Sequence, residues 1–217
     1  LGGNNSFAGT VFMQNATAIK NSAVGTTLTL AGDVSHAASN PGLTITGPGN
    51  VTLGGGILIA GGTFTVSSTG TTPTDATLTI GGSAQNYYTG ATAINAGTVV
   101  LAKSPSGVGA LNPNAIGAGA LTIGLAGGGP AAVVNYTGAS TDMINDYSNI
   151  TLNQSGTINM NGVSDVVGSL ASTPIYAAVI SVPGSPTANL VGGIPLVNGR
   201  VNLGSTPGMS LTIGASN

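Results

Sequence analysis

The residues able to do chemistry are few, and each stands in a context that argues against it. Asp33-Val34-Ser35-His36-Ala37-Ala38-Ser39 sets the single histidine of the chain among hydroxyls and a carboxylate, the residue types of a Ser/His/Asp hydrolase. A triad needs a base in reach of its nucleophile and an acid behind the base, and neighbours on one loop seldom achieve that. His36 therefore reads as a solvated loop residue. Asp142, Asp146 and Asp165 are the densest acidic group, of the kind that holds calcium or shares acid/base work on a glycoside. The Gly-Gly-x-Gly-x-Asp calcium repeat is absent, however, and the chain has no Glu to add a bidentate ligand. These aspartates read as turn caps. Gly54-Gly55-Gly56 and Gly127-Gly128-Gly129 lack the Lys-Ser/Thr that completes a phosphate loop. Zero cysteines remove thiolate nucleophiles, disulfides and Cys metal sites. The expectation is a protein that is not an enzyme, with no catalytic, cofactor-binding or metal residues.

Charge narrows the partners. Only 4% of residues are charged, Lys20, Lys103 and Arg200 are the sole cations, and the net charge is −2. Nucleic acid finds no basic footprint here. The longest convincing apolar run, Ile175 to Val182, is strand-sized, which predicts no membrane-spanning helix in this segment. An aromatic content of 4% cannot furnish the two girdles of a membrane barrel. Thr, Ser and Asn take the outward positions that Lys and Glu usually fill, so folding is expected to change little with salt or between mildly acidic and mildly basic pH. Such a surface suits an environment the cell does not buffer.

The elements that must position these residues are short strands. An apolar residue, Thr or Asn, and another apolar residue recur as Leu28-Thr29-Leu30, Leu43-Thr44-Ile45, Leu78-Thr79-Ile80, Leu121-Thr122-Ile123 and Leu211-Thr212-Ile213, among others. Period two sends the aliphatic side chains to one face and the threonines to the other. Gly or Asn follows at once, to turn a corner that needs positive φ. Longer phrases also return: Asn5-Ser6-Phe7-Ala8-Gly9, Asn86-Tyr87-Tyr88-Thr89-Gly90, and the shorter Asn135-Tyr136-Thr137-Gly138. Echoes in fixed order mark a repeat architecture. Hydrophobic residues at 41%, in strand-sized groups, argue against disorder, and no 3.6-residue period argues for helix. The expected fold is all-β, a β-solenoid with Gly/Asn corners, with a β-sandwich or jelly roll as the alternative. About twenty residues per coil would give on the order of ten coils and a length of about 50 Å. Residues 1–217 are expected to form one domain, with repeat coils over 1–170 and a proline-rich segment with terminal strands over 171–217.

Leu78 to Leu101, with Leu-Thr-Ile-Gly-Gly, Asn-Tyr-Tyr-Thr-Gly and Ala-Ile-Asn-Ala-Gly-Thr-Val-Val-Leu, resembles the autotransporter-associated β-strand repeat. Leu1 to about Thr17 is similar to a degenerate second copy. The resemblance implies a right-handed parallel β-helix exposed outside a bacterial cell. No transporter barrel or signal peptide accompanies it, so the chain reads as a segment of something longer.

Two sets of residues follow as candidates. Ile175, Tyr176, Val179, Ile180 and Val182 lie in a strand apolar on both faces, between Pro174 and Pro183, which must be covered on both sides. It is expected to sit under a local cap or to join a neighbouring copy as an assembly strand. Phe7 and one of Tyr87 and Tyr88 are expected to share a repeat position, as a corner plug packed on the next coil. The expected function is structural: a stiff, uncharged rod, acting as a bacterial surface stalk or a self-assembling extracellular filament subunit. The alternative is an adhesin or an ice- or polysaccharide-binding module. It would use Thr-x-Thr pairs at Thr27/Thr29, Thr44/Thr46, Thr63/Thr65 and Thr77/Thr79, near one coil each.

Overall fold

A computed structural model describes residues 3–36, 40–69, 76–107 and 112–171, and the backbone of three later strands, Val179–Ser181, Arg200–Asn202 and Leu211–Ile213. Every described strand pair is parallel, and each strand pairs with its counterpart one coil away. The first face of the coil is built from Asn5–Phe7, Thr27–Leu30, Asn50–Leu53, Thr77–Ile80, the second half of Thr92–Leu101, Ala132–Tyr136 and Gly156–Asn159. The second face begins as Val11–Met13, Val34–His36 and Ile57–Leu58. Over the next coils it is carried by single bridges, Ala60 to Tyr88 and Ile116 to Ile144, before Asp165–Val167 pairs with Leu211–Ile213. The third face holds Thr17–Lys20, Leu43–Thr46, Phe64–Ser67, the first half of Thr92–Leu101, Leu121–Ile123, Asn149–Leu152 and Ser169–Ala171. The chain is a right-handed parallel β-helix, the hand that parallel crossovers take.

Leu28, Val51, Leu78, Val99, Val134 and Ile158 are successive partners on the first face, so coils take 23, 27, 21, 35 and 24 residues. The even period of about twenty, and the ten coils it implied, are corrected among the described residues to about six longer and unequal ones. Strand register is fixed by inter-coil bonds, but corner loops cost little to lengthen.

Alternation does set the core. One inward file on the first face runs Phe7, Leu30, Leu53, Ile80, Leu101, Tyr136. Facing it, the third face supplies Ile45, Val66, Ile94, Ile123 and Leu152, all fully buried. Each such side chain contributes about 1.5–3 kcal/mol by leaving water. Two residues beyond the first file, at the corner, stand Gly9, Gly32, Gly55, Gly82, Lys103 and Gly138. A Cβ on Gly82, at φ +75, would collide with the Gly54 carbonyl oxygen. Gly62, Gly90 and Gly119 form a second corner stack, in which a Cβ on either of the last two would strike the carbonyl below. Coils can stack this closely only where no side chain intervenes.

Past Gly156–Asn159 the first face continues through Arg200–Asn202 to Val179–Ser181, the last described strand of that sheet. Val179 and Ile180 pair there with Arg200 and Val201. Ile175, Tyr176 and Val182 lie outside the described residues. Among the described residues no helix is long and apolar enough to cross a membrane.

Candidate functional site

His36, Ser35 and Asp33 are not brought into a triad. Ser35 and His36 are consecutive on one strand and project to opposite sides. The Asp33 carboxylate is engaged elsewhere, its Oδ1 accepting the Gly56 N–H at 2.7 Å. Nδ1 of His36 is buried with no hydrogen-bond partner among the described residues.

Asp142 and Asp165 come near one another, but both are committed, while Asp146 is exposed. Asp142 Oδ1 accepts from Asn114 Nδ2 at 2.6 Å. Burial, reinforced by the Asp146 charge, pushes its pKa up to about 6. Asp165 is buried: Oδ2 accepts the Tyr136 hydroxyl at 2.7 Å and the Ile144 N–H at 3.0 Å, and Oδ1 accepts the Val166 N–H at 2.9 Å. Desolvation outweighs those bonds and raises it to about 7. Tyr136 is held well above its ordinary value by burial and by the adjoining Asp165. Among the described residues no three His, Cys, Asp or Glu groups are placed to hold a metal ion.

The second face holds the richest polar geometry. Where its strands give way to single bridges, side-chain amides take over as rungs between coils. Asn86 Oδ1 accepts the Ile57 N–H at 2.8 Å, and its Nδ2 donates to the Ala115 carbonyl at 2.6 Å, so one amide joins three coils. Outside it, Gln85 Nε2 donates to Asn114 Oδ1, and Gln85 Oε1 accepts the Asn114 N–H at 2.9 Å. Asn114 then reaches the Asp142 carbonyl at 2.9 Å. An amide side chain can replace a peptide rung because it carries the same donor and acceptor.

Tyr87 and Tyr88 point opposite ways from this ladder. Tyr88 is 3% exposed, its ring edge-on to Phe64 at 6.0 Å and its hydroxyl 2.9 Å from Thr92 Oγ1. Burial lifts its pKa to about 12. Tyr87 is 67% exposed and stands between two clefts, one of about 380 Å³ beside Gly61, Ala118 and Asn145, the other of about 600 Å³ beside Ser83, Asn114 and Asp142. Phe7 lies on the first face instead, half exposed at the head of the file that ends in Tyr136. Its phrase thus shares a coil position with Asn135-Tyr136-Thr137-Gly138, whereas Asn86 to Gly90 belongs to another side.

Lys103 escaped the sequence reading. Its side chain is fully buried, with Nζ donating to the Gly55 carbonyl at 3.0 Å. Burial lowers its pKa to about 8 against the opposing pull of Asp33. A signal was present: Phe7-Ala8-Gly9, Leu30-Ala31-Gly32, Leu53-Gly54-Gly55 and Ile80-Gly81-Gly82 are followed by Leu101-Ala102-Lys103, a lysine in a glycine column.

The threonine pairs divide between two faces rather than forming one ladder. Ser6, Thr29, Thr52 and Thr79 make an outward file on the first face. Ala18, Thr44, Thr65, Ala93, Thr122 and Thr151 make one on the third. Compared with protein-family models, curated proteins and solved structures, the chain matches none.

Proposed function

We propose that this chain is a non-catalytic structural module of the bacterial cell exterior, a stiff and nearly uncharged rod that serves as a surface stalk or as the subunit of an end-to-end filament. The observation that carries the reading is the continuity of its files: aliphatic core, glycine corner and outward Thr/Ser/Asn surface pass in register from coil to coil. Stacked coils of this kind resist bending and proteolysis because each backbone rung is shared with a neighbour. The resemblance of Leu78 to Leu101 to the autotransporter-associated repeat supports the exterior location. Negative-stain imaging and limited proteolysis test it: uniform rods or filaments that survive protease are expected, and discrete protease-sensitive globules would refute it.

A second reading is favoured by the threonine files. Two flat, uncharged outward files, stepping about 4.8 Å from coil to coil, present a lattice to ice or crystalline polysaccharide. Ice-recrystallisation and cellulose or chitin sedimentation assays check it, with Thr52→Lys expected to abolish any activity that depends on the first face.

A further inference from the structure

We propose that the second face binds a soluble, neutral oligosaccharide, one sugar ring stacking on Tyr87 while hydroxyls are held in the clefts on either side. The platform is fixed: the Tyr87 N–H donates to the Ile57 carbonyl at 2.9 Å, and the adjoining Tyr88 is buried in the core. Its ring nevertheless stays in water, an aromatic surface with an apolar face and a polar tip. Gly61 and Ala118, on the coils either side, carry almost no side chain and leave a shelf beside the ring. A pyranose offers such a shelf its flat C–H face and sends hydroxyls outward.

The hydroxyls meet groups suited to them. Gln85 and Asn145 are half-buried and keep amide capacity beyond their internal bonds, so they can donate and accept as a sugar hydroxyl does. Gln85 is held in place by its inter-coil bonds to the buried Asn114 before any ligand arrives, so little order is lost on binding. Both clefts lie within the roughly 300–1,000 Å³ usual for small-molecule sites. From Gly61 to Asn145 the surface crosses three coil steps, about 14 Å, enough for several sugar units.

Charge and backbone select against other ligands. Among the described residues no cation lines either cleft and Asp142 closes one of them, so phosphates, nucleic acids and uronates are disfavoured. An extended peptide finds no free edge, because the N–H groups of Thr89, Ala118 and Asn145 already bond to Ala60, Tyr88 and Ile116. The site is separate from the threonine files and independent of the rod reading.

Isothermal titration of the purified chain with cellohexaose, maltohexaose and mannohexaose, against hexagalacturonate as the acidic probe, tests the assignment. At least one neutral hexasaccharide is expected to bind with millimolar or better affinity and hexagalacturonate more weakly. Tyr87→Ala should weaken binding by about tenfold or more with an unchanged melting temperature, because the ring is exposed, and Tyr87→Trp should retain it. Tyr147→Ala, which removes an equally exposed ring that lines neither cleft, should leave binding intact. The proposal is overturned if no neutral probe binds at about 10 mM, a concentration that would populate even weak sites, if hexagalacturonate is preferred, or if the Tyr87 and Tyr147 variants lose binding equally.

Discussion

A buried carboxyl that meets no cation among the described residues reverses the pH dependence that aspartates usually confer. Asp165 moves from its ordinary 3.8 to about 7, so between those values the folded protein keeps a proton that the unfolded chain has released. Its contribution to stability is therefore complete below about pH 4 and is lost as pH rises through 7. Asp142, raised to about 6, acts in the same direction. Lys103 acts oppositely on the alkaline side: its folded value falls from 10.5 to about 8, so stability recovers as pH climbs through that interval. Melting temperature should accordingly pass through a trough near pH 7–8. Asp165→Asn should flatten the acid limb and Lys103→Met the alkaline limb. A melting temperature that rises steadily from pH 4 to pH 7 would contradict the assignment. The sparse charge of the sequence predicts indifference to pH, but the number of titrating groups matters less than where they lie. Burial of Asp165 depends on contacts with Tyr136 and Ile144, which no local pattern announces.

At the scale of the strand, alternation carries the energetics. Leu121 is fully buried while Thr122 between it and Ile123 faces outward, half-buried. Leu121→Ala should cost roughly 2–5 kcal/mol in denaturant unfolding and Thr122→Ala less than about 1 kcal/mol. Equal losses would mean the inward face is misassigned. The corner makes a second demand. Gly119→Ala should destabilise by about 1–3 kcal/mol, because its Cβ would enter the space of the Gly90 carbonyl. Gly127→Ala, with nothing within 4 Å of the added atom, should fall within about 0.5 kcal/mol and serves as the control. Alternation and glycine corners were readable because both are short-range patterns with a single steric cause. Coil length was not, since the 35 residues from Val99 to Val134 include corner excursions that leave strand register untouched. For the same reason the phrase from Asn86 to Gly90 matched that of Asn5 to Gly9 in letters but not in place. A turn toward a buried aromatic is spelled alike on any side of a coil. The clefts beside Tyr87 draw on residues from Gly61 to Asn145, a juxtaposition set by coil length and so hidden with it.

For the molecule as a whole, the two ends matter most. The sheet of the first face opens on Asn5–Phe7 and closes on Val179–Ser181, each bonded to one described neighbour only. A parallel strand with an unpaired edge is a ready template for another chain. Asn5–Phe7 carries Phe7, which heads an inward file yet is 50% exposed. Rods should therefore associate end to end, and since few charges are present, to nearly the same extent at low and high salt. Val179→Lys places an ammonium on the closing strand, and an edge lysine deters pairing. Light scattering and negative-stain imaging should show the variant as single rods with the β-type circular dichroism of the parent. Loss of that spectrum would report misfolding instead, so Phe7→Ser at the opposite end provides an independent interruption of the same joint. If both variants remain folded and still form filaments, the contact is lateral rather than axial, and the chain is a bundle-forming rather than an end-stacking rod.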